Sequence, residues 1–98
     1  MKHFIGQYCI IRTCNAGVFF AKLEEYENQS ALLSDCIRIH YWEGAASLSQ
    51  MALEGVKNPD GCRFSLEIPS HYVEQVIEII PVAKMAYDNM KGVKRWEV

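Results

Sequence analysis

The chain has 98 residues and a mass of 11.2 kDa, enough for one domain with its own core and too little for two. Half of it is hydrophobic, 22% is charged and the mean hydropathy is −0.06, which excludes wholesale disorder. A net charge of −2 argues against general nucleic-acid binding, and the absence of a long apolar run or a basic-then-apolar start argues against a membrane span and a secretory signal.

Residues 7–14 are rich in β-branched and aromatic types and predict a strand. Asn15, Ala16 and Gly17 supply a turn, and residues 18–26 predict a second strand, so the pair reads as a hairpin. A turn over 27–30 leads to a third strand, 31–42, with Ile37, Ile39 and Tyr41 on one face and Arg38, His40 and Trp42 on the other. The period then changes. Leu48, Met51, Ala52 and Val56 form the stripe of a short helix, 47–56, and Ser47 and Gln50 stand at capping-box spacing. Gly55 and the run 58–61 (NPDG) end it.

Residues 62–68 alternate and predict a strand, which Pro69, Ser70 and His71 interrupt. Residues 73–80 predict another strand, with a helix as the competing reading of the same apolar positions. Pro81 is expected to open a helix, 82–91, closed by Gly92, and the tail 93–98 alternates like an edge strand. The fold class expected is α+β: a curved antiparallel sheet of about five strands with two short helices, an SH3-like small barrel being one way for the sheet to roll. No repeat or linker divides the chain, so residues 1–98 read as a single domain.

Charge is unevenly placed, with +3 over residues 1–22, −7 over 23–78 and +2 over 79–98, so a local basic patch is compatible with an acidic protein. Cys9, Cys14, Cys36 and Cys62 contain no C-x-x-C pair, and His3, His40 and His71 share no ligand spacing with them. Buried reduced thiols are expected; no metal and no cofactor is implied.

The richest segment is 38–50 (RIHYWEGAASLSQ): two aromatics close a strand, three small residues follow, and a capped helix begins. Small residues permit close approach, and a helix start offers free N–H donors with partial positive charge. A nucleotide site is therefore expected there. Phosphate would take the N–H groups of residues 46–49, Ala46 among them, and the Ser47 and Ser49 hydroxyls beside Gln50. Arg38 or Arg12 would neutralise it, and Tyr41 or Trp42 would stack the base. Each part also has a structural reading: one aromatic as core, the small residues as a tight turn, Ser47 as a cap. No Walker loop, nucleophile elbow or other catalytic constellation is present, so an enzyme is not expected.

The string at 38–55 (RIHYWEGAASLSQMALEG) resembles a family of small bacteriophage and prophage proteins. The likeness continues through Asn58-Pro59-Asp60, Cys62-Arg63-Phe64 and Glu78-Ile79-Ile80-Pro81, and begins weakly at Ile5-Gly6-Gln7-Tyr8. It implies a phage origin and a host-cytoplasm setting, and it brings no chemistry and no functional residues with it. Two expectations follow. The first is a phage anti-defence protein, a homo-oligomeric sponge that holds a small nucleotide immune signal (cyclic dinucleotide or cyclic ADP-ribose type) without cleaving it. The other is a phage protein that blocks a host defence protein by direct contact. Surplus aromatics, particularly Tyr41 or Trp42, and Trp96, are available for a symmetric interface.

Overall fold

A computed structural model describes residues 2–98. In chain order it has β1 (Tyr8–Thr13), β2 (Val18–Glu27), β3 (Ser30–Tyr41), α1 (Leu48–Glu54), a single 3₁₀ turn (Pro59–Gly61), β4 (Arg63–Phe64), β5 (Ile68–Val73), β6 (Val76–Pro81) and α2 (Lys84–Lys91). The fold class is the α+β arrangement expected, one antiparallel sheet of six strands with two short helices.

The sheet runs β4-β3-β2-β1-β6, and β5 pairs with β3 alongside β4. The β2–β3 hairpin closes through Asn28 and Gln29, both at positive φ (49° and 64°), the pattern of a type I′ turn whose twist matches the strands. Its register shifts twice, and Asp35, also at positive φ, sits at one of the irregularities. β5 and β6 lie on opposite edges, yet only Glu74 and Gln75 separate them in the chain, so the sheet rolls strongly. It stays open, because no ladder among the described residues joins β5 to β6.

That roll buries both faces of the sheet. On one, Ile10, Phe20, Ile37 and Ile39 pack against Met51 and Ala52 of α1, Ala86 and Met90 of α2, and Phe64. On the other, Cys9, Ile11, Phe19, Leu23, Leu33 and Cys36 meet Val73 and Val76 inside the curve. Asn89 of α2 locks the helices together, its side chain accepting from Val56 N (2.8 Å) and donating to Val56 O (3.0 Å). No helix is long and apolar enough to cross a membrane.

Four local expectations are corrected. The strand expected over 62–68 is broken into β4 and the start of β5, and Pro69 lies within β5 instead of interrupting it. An edge strand tolerates proline because its missing N–H leaves the outer side unpaired. Pro81 ends β6, opposite Cys9, and the second helix starts three residues later without a side-chain cap. The tail makes only an isolated bridge, Phe64 to Arg95. Finally, alternation fails at the end of β3, where Trp42 turns into the core beneath α1 and Tyr41 is left exposed.

Candidate functional site

The segment singled out from sequence is used by the protein itself. Ser47 caps α1 by accepting from Gln50 N (3.1 Å), while Gln50 Oε1 accepts from Ala46 N (2.7 Å), one residue before the position a capping box would use. Gly44, at φ +88°, lies so close to the Lys57 and Asn58 backbone that a Cβ would overlap it, and its carbonyl accepts from Lys57 N (3.0 Å). Glu43 holds the same junction through Asn58 Nδ2 and through Tyr41 Oη (3.2 Å). Trp42 is half-buried and donates Nε1 to Ala45 O (3.3 Å). The small residues seat backbone against backbone, and α1 is only seven residues long.

The structure divides the expected site. Trp42, Ala46 and Ser47 share the loop leading into α1, with Gln50 and the exposed Ser49 on its first turn. Arg12 is held by Glu78 across the β1–β6 ladder at 2.9 Å. Arg38 follows Cys36 on the opposite face of β3 from Ile37 and Ile39, away from α1. It therefore cannot serve a phosphate placed at the helix start.

Arg38 instead lines a different cleft of about 440 Å³, with Cys36, Ser65, Leu66, Ile68, His71, Trp96, Glu97 and Val98. The cleft forms where the inner core runs out beyond the β3–β5 ladder. That pairing sets His71 opposite Leu33 and Ile68 opposite Cys36, so both share the Arg38 face. Ser65 fixes the strand here, its Oγ accepting from Arg38 N (2.8 Å) and its N–H donating to Arg38 O (2.9 Å). Trp96 closes one side, tied by its backbone N–H to Phe64 O (2.8 Å) and set edge-on to His40 at 5.2 Å.

The electrostatics of the cleft are simple. The Arg38 guanidinium lies 5.0 Å over the Phe19 ring, and its Nε is buried with no hydrogen-bond partner. Its side chain makes no ion pair or hydrogen bond among the described residues, whereas Arg12 has Glu78 and Arg95 caps the carbonyls of Lys91 and Val93. A buried donor left unmade costs about 1–3 kcal/mol, and more when charged, so this position favours an incoming acceptor. Burial chiefly, with help from Arg38, lowers the His71 pKa and favours the neutral ring.

Cys36 Sγ stands 3.7 Å from His71 Nδ1, a spacing that invites comparison with a cysteine–histidine dyad. Burial pushes the thiol up to about 12, so the pair rests as neutral thiol beside neutral imidazole, the reverse of an activated nucleophile. Cys9, Cys36 and Cys62 are buried free thiols and Cys14 is exposed. Among the described residues no group of three or more His, Cys, Asp or Glu could hold a metal ion.

The cleft residues were missed in sequence because His71 and Ile68 reach the Arg38 face only through the long-range β3–β5 ladder, and Ser65 only through its bonds to Arg38 beside the β3–β4 pairing. Only the shared face of Arg38 and its i−2 neighbour was readable from alternation.

Fold and site together define a small α+β domain with an open, largely apolar cleft around the Arg38 guanidinium. The chain belongs to the family described as Domain of unknown function (DUF6948), whose profile matches residues 6–90. The match spans every strand and α1, while Trp96, Glu97 and Val98 of the cleft lie beyond it. No curated protein and no solved structure matches the chain.

Proposed function

We propose that this protein is a phage anti-defence factor of the host cytoplasm that binds and holds a small nucleotide immune signal without cleaving it, and that the signal sits in the Arg38 cleft. The observation that carries the reading is the buried, partnerless Arg38 Nε in a cleft walled by Trp96 and His71. A guanidinium recognises phosphate oxygens, and flat aromatic walls accept a base. The neutral Cys36–His71 pair supports retention over turnover. Homo-oligomer formation belongs to the same proposal, with exposed Tyr41, Tyr72 and Trp96 as the aromatic surface for it.

The test is a thermal-shift and calorimetric screen of cyclic oligonucleotides and ADP-ribose derivatives, with the bound compound recovered after denaturation and weighed by mass spectrometry. Saturable binding and intact recovery are expected. Cleaved product, or no binding by any nucleotide, refutes the reading.

A second reading has one observation in its favour. β5 is an edge strand, and Leu66, Ile68 and Tyr72 on and beside it are exposed at 51, 40 and 61%. A host defence protein adding a strand to that edge would be blocked by contact alone. Capture of such a protein, with no effect of any nucleotide, is the outcome that selects it.

A further inference from the structure

The charges around the cleft restrict what kind of nucleotide it can hold. The side chains that line it include one cation, Arg38, and one carboxylate, Glu97. His71 adds no positive charge in its neutral form, and Cys36 remains a thiol. Arg63 stacks on the Trp96 ring at 5.2 Å and is not part of the lining, and Arg95 bonds the carbonyls of Lys91 and Val93. Glu67, between the lining residues Leu66 and Ile68, is paired with Lys91, so that lysine is also unavailable. Before any ligand enters, the lining side chains carry no net charge.

One guanidinium presents its planar fork to two oxygens of one phosphate. A second phosphate directly attached to the first would find no cation in the lining and would meet the Glu97 carboxylate instead. The remaining surface is apolar and aromatic, from Leu66, Ile68 and Trp96, which suits a base and not further charge. At about 440 Å³ the cleft lies in the lower part of the range for small-molecule sites.

Resting on the nucleotide reading above, we infer that the cleft takes a phosphodiester nucleotide unit with a single negative charge, and discriminates against pyrophosphate-bearing nucleotides. This selects the cyclic nucleotide class over the cyclic ADP-ribose class. The shared chemistry is one cyclic phosphodiester beside one base, whether free as a cyclic mononucleotide or present as one half of a cyclic dinucleotide.

The experiment is a titration of the full chain, by calorimetry and tryptophan fluorescence, with 3′,5′-cyclic AMP, cyclic GMP, cyclic di-AMP, cyclic di-GMP, ADP, ADP-ribose and adenosine. At least one cyclic phosphodiester is expected to bind at least tenfold more tightly than ADP, ADP-ribose and adenosine. Better binding of cyclic di-AMP than of cyclic AMP assigns the unit to a dinucleotide, and the reverse order to a mononucleotide. Glu97→Gln, at an exposed position, is expected to narrow the gap to ADP at least threefold without changing the melting temperature. ADP or ADP-ribose binding as tightly as every cyclic phosphodiester overturns the single-charge inference while leaving the nucleotide reading in place. Failure of every nucleotide to bind at millimolar concentration removes the reading itself.

Discussion

Replacing Gly44 with alanine separates a packing role from a ligand-cradling role for the segment 44–46. Gly44 sits at φ +88°, and an added Cβ would overlap the backbone of Lys57 and Asn58. Two penalties therefore add. Placing an L side chain in left-handed backbone costs roughly 1–2 kcal/mol, and forcing apart a close-packed junction costs typically about 1–3 kcal/mol. The expected loss is about 2–5 kcal/mol, a large part of the roughly 5–15 kcal/mol that holds a domain folded. Gly17→Ala is the internal control, because Gly17 is also at positive φ (+107°) but has nothing within 4 Å of a Cβ. It carries the conformational penalty without the overlap. Urea unfolding followed by circular dichroism, with m-values compared, measures both variants. Gly44→Ala is expected to be the less stable by about 1–3 kcal/mol, the steric part alone. Equal stabilities, or a stable Gly44→Ala variant that has lost nucleotide binding, would refute the packing account and return the site to the start of α1.

Three further outcomes are expected. Asn89→Ala removes both hydrogen bonds to the Val56 backbone and leaves buried polar groups unmade, so unfolding free energy should fall by about 2–4 kcal/mol; a loss under about 0.5 kcal/mol would mean the helices are not joined there. Arg12→Ala breaks only the exposed pair with Glu78, so it should cost less than about 1 kcal/mol in the same assay and leave nucleotide affinity unchanged. The His71 pKa is lowered in the fold, so the protein binds the proton less readily folded than unfolded. That contribution to stability is complete above the ordinary histidine value near 6.5 and declines as pH falls through the lowered folded value. Urea midpoints between pH 7.5 and pH 5 should therefore fall more steeply in the wild type than in His71→Gln; parallel curves would contradict the assignment.

Most of the architecture was legible because its signals are local. Alternation over β1, β2 and β3, turn residues at 15–17 and 27–30, and the Ser47–Gln50 cap each act within a few residues. The misread parts depend on partners distant in sequence. Pro69 reads as a breaker until β5 is known to be an edge strand of β3, and Pro81 reads as a helix start until Cys9 is seen opposite it. The site fared worse for the same reason. Arg38 was identified, but its companions His71 and Ile68 come from β5, and Trp96 comes from a tail held mainly by Phe64 and by the Arg95 caps on α2. The 38–50 segment looked like a ligand loop because small residues serve backbone–backbone contact and backbone–phosphate contact equally well. Only the closeness of Lys57 and Asn58 decides between them.

The location of the site is tested most directly by backbone and indole NMR shifts of the full chain during titration with cyclic di-AMP. Perturbations are expected to centre on Arg38, Ser65, His71 and the Trp96 indole, and to be lost in a folded Arg38→Ala variant. Perturbations centred instead on Trp42, Ala46, Ser47, Ser49 and Gln50, and retained in Arg38→Ala, would contradict that location.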